Sequence, residues 1–153
     1  MNEVFRRKPD FASIAVGETL PPIRWTADIE DVEAFGDVLY SKTSSRATNP
    51  HLNAEYASQH IYGGLTVDGN QTVDFLCRMV ANWLPRRASL NRDSIVDIKF
   101  PNPCRVGDSV EFRGTVAEIS NDGAQWMVHV DVIAENQSSK VVAVGRISAC
   151  LPR

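Results

Sequence analysis

A long, mostly apolar stretch lies near the middle of the chain, at NQTVDFLCRMVANWLP in residues 70–85. Its apolar side chains recur every three or four residues on one broad face: Val73, Leu76, Cys77, Val80, Ala81 and Leu84. Phe75, Met79 and Trp83 add apolar surface beside that face. Because a surface helix keeps a polar face, this pattern predicts a mostly buried helix over residues 70–84. Pro85 ends it.

Four later segments alternate between apolar and polar residues and therefore predict strands. They read SIVDIKFPNP, GDSVEFRGTVAEIS, AQWMVHVDVIAEN and KVVAVGRISACL, and the turns RVGDS, NDG and NQSSK lie between successive segments. Such a run predicts an antiparallel meander. A buried helix followed by a meander favours an α+β fold, with a sheet curled around a central helix.

The first third of the chain predicts a strand, a helix and a loop. IRWTA alternates after the Pro21-Pro22 pair, and TADIEDVEAFGDVL has a helix-start signal with Thr26 or Asp28 as the cap. YSKTSSRATNPH is polar and contains Pro50, so we expect a loop there.

Composition narrows the class of protein. A chain of 153 residues fits a single domain, which we assign to residues 1–153. The net charge of −3 and the scattered basic residues argue against a nucleic-acid partner. Cys77, Cys104 and Cys150 have neither metal-site spacing nor an even number, which suits a reducing compartment. No segment resembles a signal peptide or a membrane span, so we expect a cytoplasmic protein with no membrane partner.

Candidate chemistry is concentrated in residues 49–70, which read NPHLNAEYASQHIYGGLTVDGN. This stretch contains His51, and histidine is the side chain best suited to acid–base chemistry near neutral pH. The residues just before His51, SSRATNP, include no carboxylate that could orient it.

Several of these segments, in this order, resemble the MaoC-like dehydratases, or (R)-specific enoyl-CoA hydratases, of the hotdog fold. The resemblance rests on VGETLPPI, DVEAFGDVL, NPHLNAEYA, YGGLTVDG, the long helix and FPNPCRVGDSVEFRGTV. Its most specific parts are the Asn-Pro…His…Glu-Tyr-Ala loop and the Phe-x-x-Pro-x-x-x-Gly-Asp turn at residues 100–108, a structural marker. It implies a hotdog fold, pairing into dimers, and thioester substrates near the dimer interface.

The resemblance also shows a departure at the catalytic loop. The family's loop reads Asp-x-Asn-Pro-(aliphatic)-His, in which the aspartate and the histidine share a catalytic water. His51 matches the histidine, but the aspartate falls on Arg46 or, in the alternative alignment, on Ala47. Neither residue can accept a proton, so the usual acid is missing.

Asp68 is our candidate for the missing carboxylate. It stands where the family has a histidine, and Gly69 matches the glycine whose amide polarises the thioester carbonyl. A helix N-terminus favours developing negative charge, which suits an oxyanion site. Asp68 is equally suited to cap the long helix, and the two roles are compatible. His51 has an alternative reading as a loop histidine held by backbone groups.

The resemblance implies a hydro-lyase acting on a β-hydroxyacyl or enoyl thioester of CoA or acyl carrier protein. We predict that His51 and Asp68, aided by Asn49, transfer protons, that Gly69 N–H forms the oxyanion hole, and that Tyr62, Gly64 and Asn70 contact the substrate. No cofactor or metal is required. The partner chain is a second copy or a related hotdog chain. The alternatives are a non-catalytic acyl-thioester-binding subunit of a heterodimer, and an enzyme repurposed for another elimination, addition or cyclisation.

Overall fold

The computed structural model describes residues 13–40, 46–84, 90, 93–121 and 125–151. Within these residues the chain forms five strands, three α-helices and a short 3₁₀ helix at Arg46–Thr48. The elements are, in chain order, β1 (Ile23–Thr26), α1 (Ile29–Tyr40), α2 (Ala54–Gln59), α3 (Gly69–Trp83), β2 (Ile95–Lys99), β3 (Ser109–Asn121), β4 (Trp126–Asn136) and β5 (Val141–Leu151).

The strands form one antiparallel sheet in the order β1-β3-β4-β5-β2. All five predicted strands are present, but the predicted four-stranded meander is wrong for β2, which pairs with β5 and not with β3. The connection between β2 and β3 is not a hairpin turn. Its backbone bonds to an earlier segment, with Val67 N donating to Cys104 O at 2.8 Å and Val106 N to Leu65 O at 3.3 Å.

Helix α3 packs against the sheet through a continuous apolar face. Its buried apolar residues, Leu76, Met79, Val80 and Trp83, recur at helical spacing and share one core with buried residues of the sheet such as Phe112, Val130 and Ile147. Burying each large apolar side chain stabilises the fold by about 1.5–3 kcal/mol. The predicted helix is present, but it is amphipathic and not mostly buried: Asn70, Arg78, Ala81 and Asn82 are exposed, whereas Met79 and Trp83 are in the core.

The edge strand β2 lies very close to β5 at one point. A Cβ atom added to Gly145 would lie 1.9 Å from the carbonyl oxygen of Asp97, which is a backbone atom and cannot rotate away. Gly145 pairs with Ile98 in this register. Only glycine therefore permits this approach between the strands.

Helix α1 begins at one of the two predicted caps but ends later than predicted. Asp28 Oδ1 accepts from Asp31 N at 3.0 Å, so Asp28 rather than Thr26 caps it. The helix continues through Tyr40, which we had placed in a loop, and the end of that loop forms the 3₁₀ helix. The intervening residues 41–45, Asp122 and Gly123 of the NDG turn, and Pro85 lie outside the described residues.

None of the helices that the structure describes is both long and apolar enough to cross a membrane. The three cysteines are free thiols.

Candidate active site

The site is built around the short segment 65–67, which lies between two other pieces of chain. On one side it bonds to Cys104 and Val106, as described above. On the other side Thr66 N donates to Pro50 O at 3.4 Å. This arrangement brings the loop of residues 49–51 against the segment that leads directly into α3.

His51 is held so that one of its ring nitrogens is free. Its Nδ1 lies 2.9 Å from Thr66 O and 3.2 Å from Thr66 Oγ1. Because a carbonyl oxygen can only accept, Nδ1 carries the proton and Nε2 is the basic nitrogen of the neutral ring. The loop itself is shaped by Asn49, a buried residue whose Oδ1 accepts from His51 N at 2.8 Å.

Asp68 is almost fully buried at the start of α3 and faces two ways. Its Oδ1 caps the helix by accepting from Asn70 N at 2.8 Å and from Asn70 Nδ2 at 3.0 Å. Its Oδ2 lies 3.7 Å from His51 Nε2. Helix capping and proximity to His51 therefore occur together in one side chain.

The distance between His51 Nε2 and Asp68 Oδ2 determines what can bind between them. A separation of 3.7 Å is too long for a direct hydrogen bond. When the ring is neutral, Nε2 and Oδ2 are both acceptors, so a hydroxyl group or a water molecule that donates could lie between them. When the ring is protonated, the same two atoms form an ion pair. The pair can therefore take up and return a proton next to a bound hydroxyl group.

Tyr40 belongs to this cluster, and the sequence analysis missed it. Its hydroxyl donates to Asp68 Oδ2, the oxygen that faces His51. The hydrogen bond to Asp68, burial and the negative charge of Asp68 raise the pKa of Tyr40 to about 12. A signal was available: Tyr40 lies one turn beyond Gly36 and two beyond Val32, the two buried residues of α1.

Arg46 and Ala47, the positions at which the resemblance predicts an aspartate, form no hydrogen bond or ion pair with His51 or Asp68 within the described residues. The Arg46 guanidinium pairs with α1, at 3.2 Å from Glu33 Oε1 and 2.8 Å from Asp37 Oδ1. Ala47 O accepts from Asn53 Nδ2 at 3.1 Å. These positions attach the loop to neighbouring elements.

Gly69 is the first residue of α3, and its N–H has no hydrogen-bond partner among the residues that the structure describes. The ring of Phe100 lies beside the Cα of this residue, because a Cβ atom added to Gly69 would lie 3.1 Å from the Phe100 ring. Phe100 opens the turn that the sequence identifies as a structural marker. Its ring also lies next to the residue that carries the candidate oxyanion N–H.

Tyr62 and Gly64 lie on the loop between α2 and the segment 65–67, and neither bonds to His51 or Asp68 within the described residues. Tyr62 packs its ring against His60 at a centroid distance of 5.0 Å, and its carbonyl accepts from Arg105. Arg105 also lies over Gly64. The structure thus brings Asn49, His51, Asp68 and Asn70 together, whereas the contacts of Tyr62 and Gly64 are with His60 and Arg105.

Two other chemistries find no support in the described residues. Burial, helped by the charge of Asp108, raises the pKa of the Cys104 thiol to about 12, so this cysteine is a poor nucleophile. No group of three histidine, cysteine, aspartate or glutamate side chains in the described part of the chain is placed to hold a metal ion.

The sequence matches no protein-family model and no curated protein, but solved structures match the fold. A MaoC-like dehydratase from Rhodospirillum rubrum is 22% identical, with a TM-score of 0.72 over 94% of this chain and 96% of that chain. The (R)-hydratase PhaJ1 from Pseudomonas aeruginosa is 21% identical, with a TM-score of 0.74 over 93% and 84%. The ChsH1-ChsH2 complex from Mycobacterium tuberculosis matches at 18% identity, with a TM-score of 0.73 over 90% and 98%.

These likenesses confirm the predicted fold. The chain has the α+β hotdog fold of the MaoC-like dehydratases and (R)-hydratases, with a five-stranded antiparallel sheet and a central helix. At identities this low, the likeness concerns the fold.

Proposed function

We propose that this protein is a hydro-lyase that dehydrates β-hydroxyacyl thioesters, or hydrates the corresponding enoyl thioesters. The observation that carries the proposal is the pair formed by His51 Nε2 and Asp68 Oδ2, 3.7 Å apart at the start of the central helix. The names of the solved structures with the same fold, a dehydratase and an (R)-hydratase, support the reaction class.

In the dehydration direction, His51 Nε2 removes the proton from the α-carbon. The electron pair of that C–H bond forms the carbon–carbon double bond, and the β-carbon–oxygen bond breaks. The leaving hydroxyl takes the proton from the His51 imidazolium and departs as water. Asp68 stabilises the imidazolium and accepts a hydrogen bond from the hydroxyl. Hydration runs through the same steps in reverse, and no cofactor takes part.

Negative charge that develops on the thioester oxygen is assigned to Gly69 N–H. This group has no other partner among the described residues and lies at the positive end of the α3 dipole. Asn49 shapes the loop that carries His51, and Asn70 orients Asp68 through two hydrogen bonds. Tyr62 and Gly64 are assigned to substrate contacts.

We assign a second hotdog chain, identical or related, to the free edge of β2. This strand forms one edge of the sheet and exposes Ile95, Val96 and, just beyond its end, Phe100. An unpaired strand edge with apolar side chains is a ready site for pairing with another chain. Because the ring of Phe100 also lies beside Gly69, such pairing would reach the candidate oxyanion site. We assign the protein to the cytoplasm, where its free cysteines would remain reduced.

The second candidate is a non-catalytic subunit that binds acyl thioesters beside an active hotdog chain. The replacement of the usual aspartate by Arg46 or Ala47 favours it, as does the likeness to a complex of two named chains. An enzyme repurposed for another elimination, addition or cyclisation would keep His51 and Asp68 but act on a different substrate.

The test is hydration of a short trans-2-enoyl-CoA, followed by the loss of absorbance of the conjugated thioester. We expect turnover by the wild type and a loss of about 10²–10⁴-fold in kcat for His51→Ala, with an unchanged melting temperature. The control is His129→Gln, since His129 lies on β4 and bonds to Ser120 and Ser148. Full activity of His51→Ala would refute the proposed machinery. Thioester binding without turnover, alone or with a partner chain, would favour the binding subunit.

A further inference from the structure

The two oxygens of the Asp68 carboxylate are held from different sides. Oδ1 accepts from both nitrogens of Asn70, which belongs to the first turn of α3. Oδ2 accepts from the hydroxyl of Tyr40, the last residue of α1. The second contact therefore joins two helices whose contacting residues are 28 positions apart in the chain.

We propose that Tyr40 is a positioning residue of the active site, whose hydroxyl fixes the plane of the Asp68 carboxylate so that Oδ2 stays beside His51 Nε2. The inference rests on the function proposed above for His51 and Asp68. The helix cap by itself anchors one oxygen, and rotation about the bond to an aspartate carboxyl group is soft. A second anchor on the other oxygen removes that freedom.

The hydroxyl of Tyr40 is suited to this task because it remains a donor. With a pKa of about 12, raised first by the hydrogen bond to Asp68, the phenol is neutral at any pH at which the enzyme would work. A neutral phenol can donate to the carboxylate without adding a competing negative charge. Because Tyr40 acts on Asp68 and not on the substrate, it is a positioning residue and not a catalytic one.

The fold explains how Tyr40 reaches Asp68. Gly36, one turn earlier on α1, contacts the loop that carries His51, since a Cβ atom at Gly36 would lie 2.5 Å from Leu52 Cδ2. Arg46 ties the same loop to α1 through Glu33 and Asp37. The position of the family's aspartate thus holds a residue that attaches α1, and α1 brings Tyr40 to the carboxylate.

A double-mutant cycle tests the assignment with the wild type, Tyr40→Phe, Asp68→Asn and the double variant. Phenylalanine removes only the hydroxyl. We expect Tyr40→Phe to lower kcat by about 10–100-fold, as a misplaced catalytic group does, with KM within about twofold of the wild type. If Tyr40 acts through Asp68, the same change in the Asp68→Asn background should have no further effect.

The same four proteins provide readouts that need no substrate. We expect the two substitutions to be coupled in thermal unfolding, and we expect Asp68→Asn to move the ionisation of Tyr40, followed by phenolate absorbance, to lower pH. Tyr56→Phe is the matched control, because Tyr56 lies on α2 with an exposed ring. Equal losses of kcat in both backgrounds, or no coupling in unfolding, would overturn the assignment.

These readouts also separate the two proposals. Coupling between Tyr40 and Asp68 in a protein that turns over no thioester would refute the proposed function and leave the contact in place. Turnover that depends on His51 but is unchanged in Tyr40→Phe would support the proposed function and refute the role of Tyr40.

Discussion

The core and the candidate site of this molecule are stabilised by different kinds of contact. In the core, α3 meets the sheet through apolar side chains such as Leu76, Phe112 and Ile147, each of which touches many neighbours. Most of the buried polar residues that the structure describes lie in the two segments that form the site, Asn49 beside His51 and the others at or near the start of α3: Thr66, Asp68, Gln71 and Thr72.

The two kinds of contact differ in how narrowly they restrict the sequence. Apolar contacts are non-directional and depend on area and shape, so several sequences of the right pattern would fill this core. A buried polar group needs a particular partner, and leaving it unpaired costs about 1–3 kcal/mol. The contacts of Asp68 with Tyr40 and Asn70, and of His51 with Thr66, therefore define the site far more narrowly than the pattern defines the core.

The strongest test of this division is a core substitution. Leu76 is fully buried on α3. Leu76→Ala should lower the free energy of unfolding by about 2–5 kcal/mol, because it removes apolar contacts and leaves a cavity. Chemical denaturation measures this loss. The activity of the molecules that remain folded should be near that of the wild type, and a selective loss of kcat would show that the core and the site are not separable.

Asp68→Asn should have the opposite signature. Asparagine caps a helix about as well as aspartate, so the melting temperature should fall only by the weakening of the contact with Tyr40. The neutral amide cannot stabilise the His51 imidazolium, and we expect kcat to fall by about 10²-fold, or about 2.7 kcal/mol in activation free energy. Steady-state kinetics and calorimetry on one preparation compare the two effects. A lower melting temperature with normal turnover would reduce Asp68 to a helix cap.

Alkaline pH should weaken the contact between α1 and α3. The pKa of Tyr40 is about 12 in the folded chain and about 10 in an unfolded one. A raised pKa stabilises the fold fully below pH 10, and this contribution is lost as the pH rises from 10 through 12. The stability difference between the wild type and Tyr40→Phe should therefore shrink over that range. Unfolding curves at pH 8 and pH 11 measure it, and a constant difference would contradict the contact.

The smallest effect is expected at Arg46. Its ion pairs with Glu33 and Asp37 are exposed, so Arg46→Ala should cost about 0–1 kcal/mol of stability. Arg46→Asp restores the carboxylate of the family's loop in sequence, but it faces two acids of α1. We expect it to lower stability and not to raise kcat. A gain in turnover would mean that the loop can still place an aspartate beside a substrate.

The sequence predicted the parts of the fold that depend on local periodicity. Alternation located β1 to β5, and helical spacing located α3, because both patterns follow from one buried face. It did not predict that β2 pairs with β5, since strand order depends on the path of residues 100–108 and not on the strand itself. The need for glycine at position 145, which allows this pairing, becomes evident only in the structure, where the Asp97 carbonyl oxygen lies against it.

The site could be predicted only in part, because its contacts do not follow from local periodicity. His51 and Asp68 were singled out by their positions in the resemblance, and the structure puts them 3.7 Å apart, but their roles stay predictions. Tyr40 was missed because its contact joins residues 28 positions apart, across a polar stretch whose pattern predicted a loop. A hydrogen bond between two side chains that are distant in the chain produces no periodic pattern in the sequence.

The two hydrogen bonds from Asn70 to Asp68 make the backbone amide of Asn70 a probe of the candidate site. Whenever the Asn70 amide proton exchanges with deuterium from solvent, its hydrogen bond to Asp68 Oδ1 has opened. The exchange rate of that one proton therefore reports how often this anchor of the carboxylate is released. The measurement needs no substrate.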